Sequence, residues 1–144
     1  MPRPAERLSH HDLCFGCGQA NVFGLQLELE PDERTHSGTG GDGGVAGRFF
    51  VKQDHQGPPG FAHGGIMGAA LDEAMALAVH LSGVSALTSR FEIDLLAPVP
   101  VGTFVRVEAR IGGTEGGRVQ ASATASSEDG DALARAAATF AAVA

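Results

Sequence analysis

The chain has 144 residues, 43% of them hydrophobic and 19% charged, with a formal net charge of −7. That length suits one domain with a real core, and an acidic balance with one lysine, Lys52, argues against a general nucleic-acid binder, whose phosphate contacts need clustered cations. No apolar run approaches the roughly 18 residues of a membrane span, and Met-Pro-Arg-Pro-Ala-Glu-Arg has no signal-peptide core, so the expectation is cytoplasmic with no membrane partner.

Residues 1–22 are polar and irregular and carry His10, His11, Cys14 and Cys17. From Phe23, leucines at 25, 27 and 29 alternate with Gln26, Glu28 and Glu30, which predicts a half-buried strand stopped by Pro31. Residues 32–44 read as a mobile loop or wide turn, and Val45–Val51 as a strand. His55–His63 contains Gly-Pro-Pro-Gly, a rigid turn because two prolines fix φ and lack backbone donors.

Gly65–Leu81 is the one convincing helix, rich in Ala, Leu and Met, with Gly83 as its stop. Strands follow at Leu87–Leu96, Phe104–Ile111, Arg118–Ser126 and Leu133–Val143, with Gly112–Gly117 as a hairpin turn. The last strand is alanine-rich and helix-prone by propensity, but it follows the turn signal Glu128-Asp129-Gly130-Asp131. The pattern predicts a single α+β domain over 1–144, an antiparallel sheet of five to six strands wrapped around one central helix. The sheet covers the helix on one side only, and a second copy of the chain is the simplest cover for the rest.

The most informative stretch is His63-Gly64-Gly65-Ile66-Met67-Gly68-Ala69-Ala70-Leu71-Asp72-Glu73. A helix apolar on all sides belongs in an interior, where an unpartnered carboxylate is rare. Its glycine entrance exposes backbone N–H groups that hold negative charge. From Gly64 to Asp72 is about 12 Å along the helix, too far for one straight helix to bring both to one carbonyl. If this helix is catalytic, Gly64 of one chain must therefore face Asp72 of another, across a homodimer with two composite sites.

The His63-Gly64-Gly65 run with Asp72 nine positions after His63 resembles the hotdog-fold acyl-CoA thioesterases, specifically the phenylacetate-pathway (PaaI-like) group. Phe91–Gly102, ending Pro98-Val99-Pro100-Val101-Gly102, is similar to that group's third-strand signature, and Cys14-Phe15-Gly16-Cys17-Gly18 with Asn21 and Gly24-Leu25 to the N-terminal motif of a bacterial subset. His55-Gln56-Gly57-Pro58-Pro59-Gly60 fits as well. The resemblance implies a hydrolase of an acyl-CoA substrate with no cofactor. It implies Asp72 as nucleophile or general base, the Gly64 N–H as oxyanion donor, and His63 as the histidine that orients substrate or the helix entrance. Thr88 then helps hold the attacking water, Gly65 and Gln56 contact substrate, and coenzyme A phosphates need cations, for which Arg118, Arg90 and Lys52 are candidates and Arg118 is chosen. A dimer of dimers, a homotetramer, is implied likewise. Val22 stands where the group commonly has proline, and Asp94-Leu95 where it often has an aromatic residue or Asn.

The remaining chemistry-bearing residues have plainer readings. Glu73 lies about 100° around the helix from Asp72 and reads as a supporting or interface acid. His10, His11, Cys14 and Cys17 are zinc-competent, but closed zinc sites usually draw ligands from separated segments and no second Cys-x-x-Cys exists, so the expectation is a packed N-terminal lid without metal. His36 and His80 are assigned no special role. The rival functions are a non-catalytic acyl-CoA sensor, which has no need of a buried acid, and a dehydratase, whose paired Asp and His in one loop is absent.

Overall fold

The computed structural model describes residues 7–32 and 43–143. Among these residues the strands are β1 (Glu28–Pro31), β2 (Gly44–Phe50), β3 (Ala86–Leu95), β4 (Phe104–Glu115), β5 (Arg118–Ser127) and β6 (Ala132–Ala142), and one α-helix, α1 (Gly64–Leu81), lies between β2 and β3 after a single 3-10 turn at Gln53–His55. All pairings are antiparallel in the order β1-β2-β4-β5-β6-β3, so β1 and β3 are the edges. This is the expected hotdog arrangement, with six strands. The loop expected over 32–44 lies largely outside the described residues, as does His36.

Helix α1 packs on one face of the sheet and contacts every strand. Leu71, Ala74, Met75 and Ala78 of the helix and Val105, Val107, Ala109, Val119 and Ala121 of the sheet belong to one buried core, all at most 5% exposed. Burial on β4 and β5 alternates residue by residue, as expected of a sheet covered on one side. Segment 132–142 is a strand in spite of its alanines. Small side chains at 134, 136 and 138 let the sheet approach α1, and tertiary position overrides helix propensity there.

Two elements differ from expectation. Leu25, Leu27 and Leu29 are buried as their alternation predicts, but the regular strand begins only at Glu28. Gln26 has φ +51, which breaks the extended run, and Leu25 and Leu27 donate their N–H groups to the Phe15 and Gly16 carbonyls instead of a strand. The hairpin after β4 is also tighter than Gly112–Gly117. Strand β4 continues to Glu115 with a bulge between Ile111 and Thr114 that absorbs an extra residue. Gly116 and Gly117, at φ +57 and +77, alone make the two-residue turn.

Phe140 of β6 is 1% exposed and is paired in register with Thr88 of β3. Phe140→Ala should cost about 3–5 kcal/mol in equilibrium urea unfolding, and a loss below about 1 kcal/mol would contradict this packing.

Candidate active site

The loop before α1 is a small hairpin pinned to the chain after β3. Gln56 bridges Ala62, Phe61 bridges Pro100, and the Ala62 N–H donates to the Val99 carbonyl at 2.8 Å. Gln56 Oε1 accepts from the Gly60 N–H at 2.6 Å, so the Gln56 side chain braces the Gly-Pro-Pro-Gly turn. Beneath the loop His55 is 1% exposed. Its Nδ1 accepts from the Lys52 N–H at 3.1 Å, which leaves Nε2 to donate to the Gly24 carbonyl at 3.3 Å. Burial lowers its pKa, so it is a neutral prop, and its carbonyl accepts the His63 N–H at 2.8 Å.

His63 is the N-cap of α1. Its Nδ1 accepts from the Gly65 N–H at 2.8 Å, which assigns the proton of the neutral ring to Nε2. The Gly65 donor is thereby used, while the Gly64 N–H lies in the first turn, where no helical carbonyl reaches it. Two turns on, Asp72 Oδ1 accepts from Thr88 Oγ1 at 2.7 Å. Burial raises the Asp72 pKa above the ordinary carboxylate value, and the Thr88 hydrogen bond opposes that rise.

Thr88 reaches Asp72 because β3 is bulged. In register Thr88 faces Phe140 and Arg90 faces Thr139, so Ser89 is the extra residue. Without that insertion Thr88 and Phe91 would point to opposite faces; with it, Thr88 shares the helix-side face with Phe91, Ile93 and Leu95. Together they form an open, apolar cleft of about 710 Å³ lined by Gly64, Gly65, Asp72, Thr88, Phe91 and Leu95 among others.

The structure thus gathers Gly64, Gly65, Asp72 and Thr88 on one cleft, with His63 capping its helix. It does not gather Gln56, which is occupied in the turn, or Arg118. The latter starts β5 on the outer face of the sheet, one residue before buried Val119. Arg90 pairs with Glu92 at 2.8 Å, and Lys52 Nζ donates to the Val22 carbonyl at 2.9 Å.

Glu73 turns away from this cleft, and its side chain is 12% exposed. Its Oε1 lies 2.7 Å from His10 Nδ1 and 3.5 Å from Cys14 Sγ. The hydrogen bond to Glu73 raises the His10 pKa to about 9. Burial pushes the Glu73 pKa up, but hydrogen bonds from His10 and Cys17 outweigh it and bring it below the ordinary value. The partnership of Glu73 with the N-terminal segment, the role of His55 and the Ser89 bulge have no local signature in the sequence. Only a register or a fold reveals them.

A family model described as the thioesterase superfamily matches residues 59–134, just over half of the chain. Acyl-coenzyme A thioesterase THEM4 of Xenopus laevis is 34% identical over 79 residues, or 54% of this chain. The chain spans 35% of that relative's length. Among solved structures, a hypothetical thioesterase from Streptococcus pneumoniae TIGR4 with coenzyme A has a TM-score of 0.69 at 17% identity, covering 81% of this chain and 86% of its own. The E. coli PaaI protein of the phenylacetic acid degradation operon also has a TM-score of 0.69 at 17% identity, covering 83% of this chain and 81% of its own. A further thioesterase superfamily protein covers 97% of this chain and 72% of its own with a TM-score of 0.79 at 21% identity. At these identities the structures speak to the fold.

The cap makes a separate forecast. His63→Ala should lower stability by about 1 kcal/mol in thermal unfolding, and His63→Asn, which retains a capping acceptor, should recover most of it.

Proposed function

The chain belongs to the thioesterase superfamily, and on that premise we propose that it hydrolyses an acyl-CoA thioester to the free acid and coenzyme A at a site shared by two subunits. The observation that carries the reading is a single cleft holding both a half-buried carboxylate, fixed by Thr88 at 2.7 Å, and the entrance of the same apolar helix. The acyl-CoA class is supported by the sequence likeness to THEM4 and by the structural neighbour that carries coenzyme A.

In this mechanism the thioester carbonyl accepts the Gly64 N–H at the positive end of the helix dipole, where developing negative charge is stabilised. Asp72 of the other subunit then acts as nucleophile, giving a mixed anhydride that water opens, or as general base, taking a proton from the attacking water. Either route breaks the C–S bond and releases the coenzyme A thiolate. Thr88 Oγ1 engages only Oδ1 of Asp72, so Oδ2 is the oxygen directed at the reaction. His63 orients the entrance by capping it, and Gly65 contributes by lining the cleft.

Two features support a homodimer. The spacing of about 12 Å separates Gly64 from Asp72 within one chain. The cleft also opens along an edge strand whose Leu87 and Leu95 are 67% and 55% exposed, a surface that a second copy would cover. Arg118, on the outer sheet face, serves a coenzyme A phosphate only for a site on another subunit, which fits the dimer of dimers.

The chemistry is tested by thiol release from a panel of aryl- and aliphatic acyl-CoAs. Asp72→Asn should lower kcat about 10²–10⁴-fold, and Thr88→Ala should lower it less. Wild-type protein that binds acyl-CoA as well as Asp72→Asn but releases no thiol would leave a sensor, not an enzyme.

Helix geometry offers a clean probe of the oxyanion donor. Gly64 is the first helical residue and His63 is already extended, at φ −65 and ψ 137, so Gly64→Pro removes the N–H without breaking the helix. It should cost about 10²–10³-fold in kcat, whereas Gly64→Ala, which keeps the N–H, should cost far less. Mixing Gly64→Pro with Asp72→Asn subunits should restore roughly a quarter of the wild-type sites by random pairing. Absence of any rescue would refute the composite site.

A further inference from the structure

Four metal-competent groups converge on the side of α1 away from the cleft: His10 Nδ1, Cys14 Sγ, Cys17 Sγ and a carboxylate oxygen of Glu73, all within 4.8 Å of one another. We propose that they form a closed, four-coordinate zinc site that fastens the N-terminal segment to α1. A tetrahedral zinc ion with bonds of about 2.0–2.3 Å places neighbouring ligand atoms roughly 3.3–3.8 Å apart. Cys14 Sγ and Cys17 Sγ lie 3.8 and 3.7 Å from His10 Nδ1, and Cys14 Sγ lies 3.5 Å from Glu73 Oε1. The 2.7 Å His10–Glu73 hydrogen bond is shorter than that spacing and opens by roughly 0.6 Å when an ion replaces the shared proton, while the widest separation in the group, up to 4.8 Å, closes by as much as about 1 Å as the ion draws its ligands in. The His10 side chain, 30% exposed, is the one free to make that movement.

The backbone is shaped for the same ligand set. Cys14-Phe15-Gly16-Cys17-Gly18 closes a tight turn in which the Gly18 N–H donates to the Cys14 carbonyl at 2.9 Å. The His10 N–H donates to Cys17 Sγ at 3.2 Å, a backbone contact that fixes the position of that sulfur. A Cβ on Gly16 would run into the Glu73 side chain, so glycine is what allows the turn to lie against the fourth ligand. Glu73 is the separated ligand that the local run of histidines and cysteines lacks, coming from 59 residues beyond Cys14. His11 is not one of the converging groups; it turns aside, with its Nδ1 accepting from the Leu13 N–H at 3.2 Å. Two sulfurs, one imidazole and one carboxylate with no place kept for water suit structural zinc over magnesium or calcium, which take oxygen ligands. A hydrogen-bond network alone gives no reason for paired thiols, which are weak partners.

The test does not involve turnover, so it stands or falls apart from the thioesterase reading. Full-length protein purified under reducing conditions should carry about one zinc per chain by plasma mass spectrometry. After chelator stripping, Co²⁺ titration should produce a thiolate-to-cobalt charge-transfer band and the visible bands of tetrahedral cobalt. His11→Ala should keep both metal and bands, Glu73→Gln should weaken Co²⁺ binding at least about tenfold, and Cys14→Ser with Cys17→Ser should abolish the charge-transfer band. Should the double variant fail to fold, the wild-type spectrum decides alone. Zinc-free, folded protein that develops no charge-transfer band would reduce the cluster to a His–Glu pair beside two thiols, and the proposal would fall. A band that survives loss of both cysteines would overturn it equally.

Discussion

Two adjacent carboxylates enter an apolar interior on one helix, and each must be answered by a polar group brought from elsewhere in the chain. Desolvation favours the neutral acid and penalises an unpartnered charge. Asp72 and Glu73, about 100° apart around α1, cannot share a partner. The edge strand β3 answers Asp72 through Thr88, and the N-terminal segment answers Glu73 through His10. Where β3 and residues 9–18 sit on the molecule follows from these two demands as well as from burial of leucine and valine.

The β3 answer depends on a single inserted residue. A regular strand would put Thr88 on the face opposite Phe91, Ile93 and Leu95, and the hydroxyl would miss the carboxylate. The Ser89 bulge places the polar group and the apolar wall on the same side, and the Ser89 side chain is kept busy by donating to the Thr139 carbonyl at 3.1 Å. A bulge is tolerated there because β3 has a paired neighbour on one side only. The cleft is therefore a product of edge position, and an apolar edge is also a surface that invites a second copy of the chain.

Much of this was legible in the residues. A run of helix-forming residues without proline marked α1 to within a residue, and alternation together with turn signals located the strands after it. The candidate site was legible where it lies on one continuous element, from His63 to Asp72, and at Thr88 through a resemblance of motif. What was hidden depends on contacts distant in sequence. The start of β1 was misjudged because Leu25 and Leu27 bond to Phe15 and Gly16, which no local pattern reports. The bracing of the Gly-Pro-Pro-Gly turn by the Gln56 amide oxygen, which accepts the Gly60 N–H, likewise has no sequence signature. The zinc-competent run looked incomplete because Glu73, its missing member, sits in a helix read for other reasons.

The two carboxylates also influence each other, which ties the N-terminal segment to the chemistry of the cleft without contact. A negative Glu73 makes ionisation of Asp72 harder, and a positive charge at His10 makes it easier; both effects act on Asp72 beside the larger ones of burial and Thr88. Removing the segment would leave Glu73 as an uncompensated charge one residue from Asp72, and the cheapest relief for such a pair is to protonate one member. In the proposed mechanism a protonated Asp72 is a poor nucleophile and no general base. In the metal-free protein the charge on His10 therefore partly offsets that of Glu73 in its effect on Asp72.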